Sequence, residues 1–266
     1  MLYNAKNCSL RIDNTTVNYM SFGKGKKNLI IIPGVGDGFK TVKGLAFPFS
    51  IMYKIFSKDY KVYVFSRRNK IPENFTTEQM ANDIIDHMNK LLIEKADIIG
   101  VSQGGMIAQY IAINAPKKVN KLVLTVTVSR SNKIIEDSVT NWIEMAKNKQ
   151  FKEIMIDTAK KSYVKKRSTR GMNIYGLYDK KASYDRFIIE ANACLKHNTY
   201  NELNKIKCPT LIIGARKDKV LGIEGSIELN KGIKNSELYI YEDYSHGVYE
   251  EAKDINKRVL DYLLKE

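Results

Sequence analysis

The chain has little with which to build a covalently braced or metal-held fold. Only three of its 266 residues are cysteine, Cys8, Cys194 and Cys208. They are scattered, make no C-x-x-C pair and form no ligand cluster with the three histidines. A disulfide scaffold and a zinc module are therefore excluded, and a reducing, cytoplasmic compartment is expected. Long apolar runs are also missing. Leu29–Ile32 is strand-sized, so no membrane span is expected, and MLYNAKNCSLRID lacks the apolar core of a signal peptide. Acid is short as well: 29 Asp and Glu stand against 44 Lys and Arg, a formal charge of +15. The lysines run along the whole chain instead of concentrating on one element, which reads as a solvated surface, and no nucleic acid is expected as a partner. The densest basic stretch is Lys160, Lys161, Lys165, Lys166, Arg167 and Arg170.

What is present is a core. With 44% hydrophobic residues the chain can fill one large α/β domain or a core domain with an insertion. Its organising stretch is Ala96–Ala115, ADIIGVSQGGMIAQYIAINA. Ile98-Ile99 end a buried strand. Met106, Ile107, Tyr110 and Ile111 recur at helical spacing, and Pro116 stops the helix. Between them lies Gly100-Val101-Ser102-Gln103-Gly104, a G-x-S-x-G turn in the strand-to-helix context of a nucleophile elbow. Glycines on either side remove Cβ atoms that would collide in so tight a turn, so Ser102 is expected in a strained conformation with its hydroxyl clear of the sheet.

Around it the pattern alternates. Ser9–Ile12 and Val17–Phe22 read as a hairpin, and Asn28–Ile32 as a strand buried on both faces. Pro33-Gly34-Val35-Gly36-Asp37-Gly38 follows, a glycine-rich loop with backbone N–H groups free for a ligand or an oxyanion. Gly44–Ser57 is expected as a helix and Lys61–Phe65 as a strand. Thr76–Lys95 is expected as a long amphipathic helix with Met80, Ile84, Ile85, Met88, Leu91 and Leu92 buried and His87 on its polar face. Lys121–Val126 is another buried strand. From Ser129 to Tyr200 no strand is evident, only helical patterns rich in aromatics, among them Trp142, Phe151, Tyr163, Tyr175, Tyr178, Tyr184 and Phe187, with Gly171 and Gly176 as punctuation. The alternation resumes with strand Thr210–Ile213, a helix near Gly225–Lys231, strand Glu237–Tyr241 and a final helix over Val248–Leu264. This rhythm predicts a mostly parallel sheet with helices on both faces.

Serine needs an adjacent base, itself oriented by a third group. Of the histidines only His246 sits in a loop directly after a predicted strand, whereas His87 is mid-helix and His197 ends the helical stretch. Asp218 lies five residues beyond Ile213, on the sheet edge expected for Ser102. The order Ser102, Asp218, His246 is that of α/β-hydrolases. With GVSQGG as elbow, GARKD as acid loop and YSHGVYEE as histidine loop, the chain resembles the α/β-hydrolase superfamily over nearly its whole length. The resemblance implies a core at residues 1–128 and 201–266 with a helical cap at 129–200. It also implies that IIIPGVGDG is the oxyanion loop, with the backbone N–H groups of Val35 and Gln103 as donors. Two departures stand out. Pro33 replaces the usual histidine of the oxyanion loop, and Ser66-Arg67-Arg68-Asn69 replaces D-x-R-G, with Arg68 at the arginine's position.

The chemistry implied is acyl transfer to water with no metal or organic cofactor. A carboxylic ester or thioester is the leading substrate class, and the aromatic cap favours an apolar acyl or aryl group. The same triad serves C–C bond hydrolysis, menaquinone-pathway-like lyase chemistry, aminopeptidase action and cofactor-free perhydrolysis. It is also compatible with a slow ligand-binding receptor. An aminopeptidase would need a buried acid in the cap, for which Glu144, Asp157 and Glu190 are the candidates.

Overall fold

The computed structural model describes residues 2–165 and 182–265. Tyr175, Tyr178, Gly171, Gly176, Lys166, Arg167 and Arg170 lie outside the described residues. One sheet of eight strands runs through the molecule in the order β1-β2-β4-β3-β5-β6-β7-β8. The strands are β1 (Lys6–Ile12), β2 (Thr15–Phe22), β3 (Lys27–Ile32), β4 (Tyr60–Arg68), β5 (Ala96–Val101), β6 (Val119–Thr125), β7 (Thr210–Ala215) and β8 (Ser236–Tyr241). β2 alone runs against the other seven strands; every pairing from β4 across to β8 is parallel. The hairpin forms around Asp13-Asn14, which join Ile12 to its partner Thr15.

Alternation along β3 builds both halves of the core. Ile30 and Ile32 join Ile98, Leu122, Leu124 and Ile212 under helices α2 (Thr77–Lys90), α3 (Gln103–Asn114) and α7 (Glu224–Gly232). Leu29 and Ile31 face the other way, with Val62, Val64, Val123 and Ile213, toward α1 (Ala46–Met52) and α9 (Ile255–Leu264). A strand apolar at every position has to be covered on both faces, as the buried run predicts. Between β6 and β7 lie α4 (Lys133–Lys147), α5 (Phe151–Ser162) and α6 (Tyr184–Lys196). Their buried side chains, Trp142, Phe151, Ile154 and Phe187 among them, form one cluster with Phe39, Met106 and Leu221 of the sheet-bearing part. Phe39 stacks on Phe187 with ring centroids 3.9 Å apart.

Several expected boundaries move. The helix expected over Gly44–Ser57 is α1 followed by a single 3-10 turn, Lys54–Phe56. The helix expected over Thr76–Lys95 starts as predicted, with Thr76 and Gln79 in a reciprocal capping box, but ends at Lys90. Leu92 takes the left-handed conformation, φ 55°. Leu92 N–H then donates to Asn89 O and Ile93 N–H to Met88 O, the two bonds of a Schellman ending. Leu92, expected in the core, is thereby 88% exposed. The expected last helix is divided into α8 (Val248–Glu251) and α9.

His87 is a further correction. It does not face solvent; it is wholly buried and stacks on Phe65 at 5.3 Å. Among the described residues neither ring nitrogen has a hydrogen-bond partner. Burial pushes the imidazole down to about 4 from an ordinary 6.5, with Lys90 and Arg68 adding to the shift. Because the folded value lies below the unfolded one, the neutral ring's contribution is complete above pH 6.5 and is lost as pH falls toward 4. His87→Leu is expected to stabilise the fold by about 1 kcal/mol at neutral pH, by relieving the desolvated imidazole. The advantage should widen as pH falls from 6.5 to 4, which melting curves across that range would read. A variant that melts below wild type throughout would overturn the expectation.

Candidate active site

Ser102 stands between β5 and α3 with φ 53° and ψ −121°, a left-handed conformation costly for a residue with a Cβ. Surrounding bonds hold it there. Ser102 N–H donates to Thr125 O at 3.0 Å, Thr127 Oγ1 donates to Ser102 O at 2.7 Å, and Gly105 N–H donates to the same oxygen at 2.9 Å. The glycines are required by space. A Cβ on Gly100 would stand 2.5 Å from Gly104 O, and one on Gly104 would stand 1.9 Å from Ile32 O.

Two loops from the same sheet edge meet this serine. Asp218 follows β7 and His246 follows β8. His246 Nε2 lies 3.1 Å from Ser102 Oγ, and its Nδ1 lies 2.9 Å from Asp218 Oδ2. An ionised carboxylate only accepts, so it fixes the proton on Nδ1 and leaves Nε2 to accept from the serine hydroxyl. The other carboxylate oxygen, Asp218 Oδ1, accepts from Val220 N–H at 2.8 Å and Leu221 N–H at 3.0 Å, which orients the acid. All three residues are nearly buried: Ser102 is 9%, Asp218 8% and His246 6% exposed. The three residues read from sequence as one constellation are in hydrogen-bond contact.

Val35 opens the 3-10 turn Val35–Gly38 just past β3, and Gln103 opens α3. First-turn N–H groups have no acceptor within their own helix. β3 lies between β4 and β5, where the strand order reverses, so both N–H groups and Ser102 stand at the crevice that such a reversal creates.

Behind this crevice is a buried charged group of residues with no motif to announce it. Arg67 Nη2 donates to Pro33 O at 2.6 Å and to Gln103 Oε1 at 2.8 Å, and Arg67 N–H donates to Asp37 Oδ2 at 3.0 Å. Arg186, on α6, donates to Asp37 Oδ2 at 2.6 Å and lies 3.2 Å from Glu190 Oε1. Glu190 Oε2 lies 3.7 Å from Arg67 Nε. Burial pushes the Glu190 carboxyl up to about 7, against the lowering effect of Arg186 and Arg67. Thr127, Arg67 and Arg186 were missed by sequence reasoning, since isolated polar residues at strand ends and in helices carry no pattern.

The remaining candidates lie elsewhere. His197 is buried with Nδ1 3.0 Å from Thr77 Oγ1. Glu144 pairs with Lys147 at the surface, and Asp157 accepts from Trp142 Nε1 at 2.7 Å and pairs with Lys161. In the altered D-x-R-G position, Ser66 Oγ accepts from Val42 N–H at 2.8 Å, and Arg68 grips Asp83 through two bonds of 2.5 and 2.6 Å. Among the described residues no group of three or more His, Cys, Asp or Glu side chains is placed to hold a metal ion, and no helix is long and apolar enough to cross a membrane.

The chain is similar to known proteins in sequence and in fold. The chain is 29% identical over 200 residues, 71% of its length and 74% of the relative's, to the AB hydrolase superfamily protein YisY of Bacillus subtilis (strain 168). It is 24% identical over 264 residues to a 2-hydroxy-6-oxononadienedioate/2-hydroxy-6-oxononatrienedioate hydrolase 2 of Pseudomonas putida, covering 93% of this chain and 91% of the relative. Among solved structures, the enol-lactonase from Burkholderia xenovorans LB400 superposes with a TM-score of 0.84 at 16% identity, over 97% of this chain and 100% of that one. MGS-M2, an alpha/beta hydrolase from a deep-sea metagenome library, gives a TM-score of 0.84 at 21% identity, over 97% and 98%. A family model of the alpha/beta hydrolase fold matches residues 27–253, and with its eight-stranded, mostly parallel sheet the chain belongs to that family.

Proposed function

We propose that the protein is a serine hydrolase that cleaves a carboxylic ester or thioester through an acyl-enzyme. His246 Nε2 takes the Ser102 proton as Oγ attacks the carbonyl carbon, and Asp218 stabilises the imidazolium that forms. The N–H groups of Val35 and Gln103 bind the tetrahedral oxyanion. The imidazolium then gives its proton to the departing oxygen or sulfur, and a water activated by His246 releases the acid. The helices α4, α5 and α6 act as the cap over this centre. The observation that carries the reading is the continuous chain Ser102 Oγ, His246 Nε2, His246 Nδ1, Asp218 Oδ2, with links of 3.1 and 2.9 Å.

C–C bond hydrolysis is the second reading, favoured by the activity for which the Pseudomonas putida relative is named. An aminopeptidase fits less well. Of its three candidate acids, Glu144 and Asp157 are engaged by lysines, and Glu190 is flanked by two arginines. A substrate amine would find no unneutralised carboxylate among them.

The test is a substrate panel on the purified protein: p-nitrophenyl esters of rising acyl length, acyl thioesters, and a 2-hydroxy-6-oxo-dienoate. Labelling by a fluorophosphonate is followed in parallel, with the adduct mapped by mass spectrometry. Adduct on Ser102 with ester or thioester turnover supports the first reading. Turnover of the dienoate alone moves the assignment to C–C cleavage. No adduct and no turnover overturns the nucleophilic role of Ser102.

A further inference from the structure

We propose that Arg67 is a positioning residue that holds the two oxyanion donors in register with each other. The inference rests on the hydrolase reading above, in which Val35 and Gln103 supply those donors. Donor placement matters because such groups act only when they stand about 2.7–3.1 Å from the oxygen that becomes charged. The two donors come from different strand ends, Val35 after β3 and Gln103 after β5, so something must fix one segment against the other.

Arg67, at the end of β4, touches both. Its Nη2 reaches Pro33 O, two residues before Val35, and Gln103 Oε1, on the residue that carries the second donor. Its backbone N–H reaches Asp37, two residues after Val35. Val35 is therefore bracketed from both sides by a single residue, and the same guanidinium nitrogen ties that bracket to the elbow. Gln103 is held from the far side as well, since its Nε2 donates to Glu190 O at 2.6 Å. Its Nε2 also donates to Cys194 Sγ at 3.2 Å, so the Gln103 amide has one partner on the core and two on α6. Arg67 is 4% exposed, so these bonds are shielded from water. Its charge is faced by Glu190, which is fully buried.

The arrangement also accounts for Pro33. A proline has no N–H, but its carbonyl is the group in use here, and the ring fixes φ, so that ψ alone turns this carbonyl. Arg68, next in sequence, serves as an internal control. It is bonded to Asp83 and Asp13 and touches neither donor segment with its side chain.

The experiment compares Arg67→Gln, Arg67→Lys and Arg68→Gln on the best ester of the panel, with melting curves for each. It also measures the affinity of an alkyl boronic acid, which becomes tetrahedral on the serine and uses the oxyanion donors. Arg67→Gln is expected to lower kcat by about 30- to 100-fold with KM within about threefold, because a misplacement near 1 Å carries a penalty of that order. Boronate affinity should fall by a similar factor. Arg67→Lys should recover part of the loss, since an ammonium can reach one of the two acceptors. Arg68→Gln should lower the melting temperature and leave kcat within about threefold, as expected of a structural ion pair remote from the reacting atoms.

If Arg67→Gln does not fold, Gln103→Leu removes the same link while keeping the backbone donor, and should show the same kcat and boronate signature. An unchanged kcat in folded Arg67→Gln overturns the proposal. So does a kcat loss with boronate affinity intact, or an equal kcat loss in Arg68→Gln. If wild type shows no Ser102-dependent turnover, the hydrolase reading itself fails and takes this inference with it, an outcome separate from the others.

Discussion

Ser102→Ala is expected to lower kcat/KM on the preferred ester by on the order of 10^4- to 10^6-fold while leaving the melting temperature close to wild type. His246→Ala should fall by a similar factor, and the double variant should fall little further. The three side chains work as a unit, so once proton transfer is lost, removing its other participant takes away nothing more. Folding should survive both changes. Ser102 already occupies φ 53°, and alanine there adds no Cβ that serine lacks. The main-chain bonds that hold the elbow, from Ser102 N–H to Thr125 O and from Thr127 Oγ1 to Ser102 O, do not involve the serine hydroxyl. Steady-state kinetics with fluorophosphonate labelling would check it. A Ser102→Ala protein within tenfold of wild type would remove the nucleophile from the mechanism.

The residues of this prediction were legible because each sits where an apolar strand ends. Ile98-Ile99 lead to Ser102, Thr210–Ile213 lead to Asp218, and Glu237–Tyr241 leads to His246. A parallel sheet brings its carboxyl ends to one edge, so three residues that each follow a strand fall near one another before any contact is known. Arg67 could not be found this way. The familiar D-x-R-G pattern draws attention to Arg68, and alternation along β4 sends the two arginines to opposite faces. Arg68 meets Asp83 of α2, whereas Arg67 meets the loop that follows β3.

His87 and Leu92 show two different kinds of failure. His87 was expected on a polar face because of its residue type, although it lies seven positions from Met80, a spacing that returns to the same side of a helix. The signal was present and residue type outweighed it. Leu92 carried no such signal. Its helix ends through a left-handed residue, a place usually marked by glycine or asparagine, and a leucine stands there instead. Tertiary burial of Ile93, 2% exposed, compensates for that choice, and no local pattern reports it. The fastening of α6 to the loop after β3 through Arg186 and Asp37 is invisible for the same reason: it joins residues 149 positions apart.

Gly104→Ala is expected to destabilise the protein by several kcal/mol, enough to deplete the soluble folded form. The added Cβ would stand 1.9 Å from Ile32 O, 2.6 Å from Ile32 C and 2.8 Å from Pro33 O. These are backbone atoms at the end of a central strand, paired on both sides with β4 and β5, and no rotamer change can move them aside. Relief requires α3 to lift from the sheet or β3 to shift, and either motion separates the segment carrying Val35 from the one carrying Gln103. Stability and turnover should therefore fall together, unlike the Ser102→Ala case. Gly36→Ala, in the 3-10 turn Val35–Gly38 that follows β3, supplies the contrast. A Cβ there meets nothing within 4 Å, so its melting temperature should stay within about 2 °C of wild type. Thermal melts and soluble yield of the two variants would decide the matter. A Gly104→Ala protein as stable as Gly36→Ala would show that the approach of the elbow helix to β3 is not the constraint that makes glycine necessary two residues after Ser102.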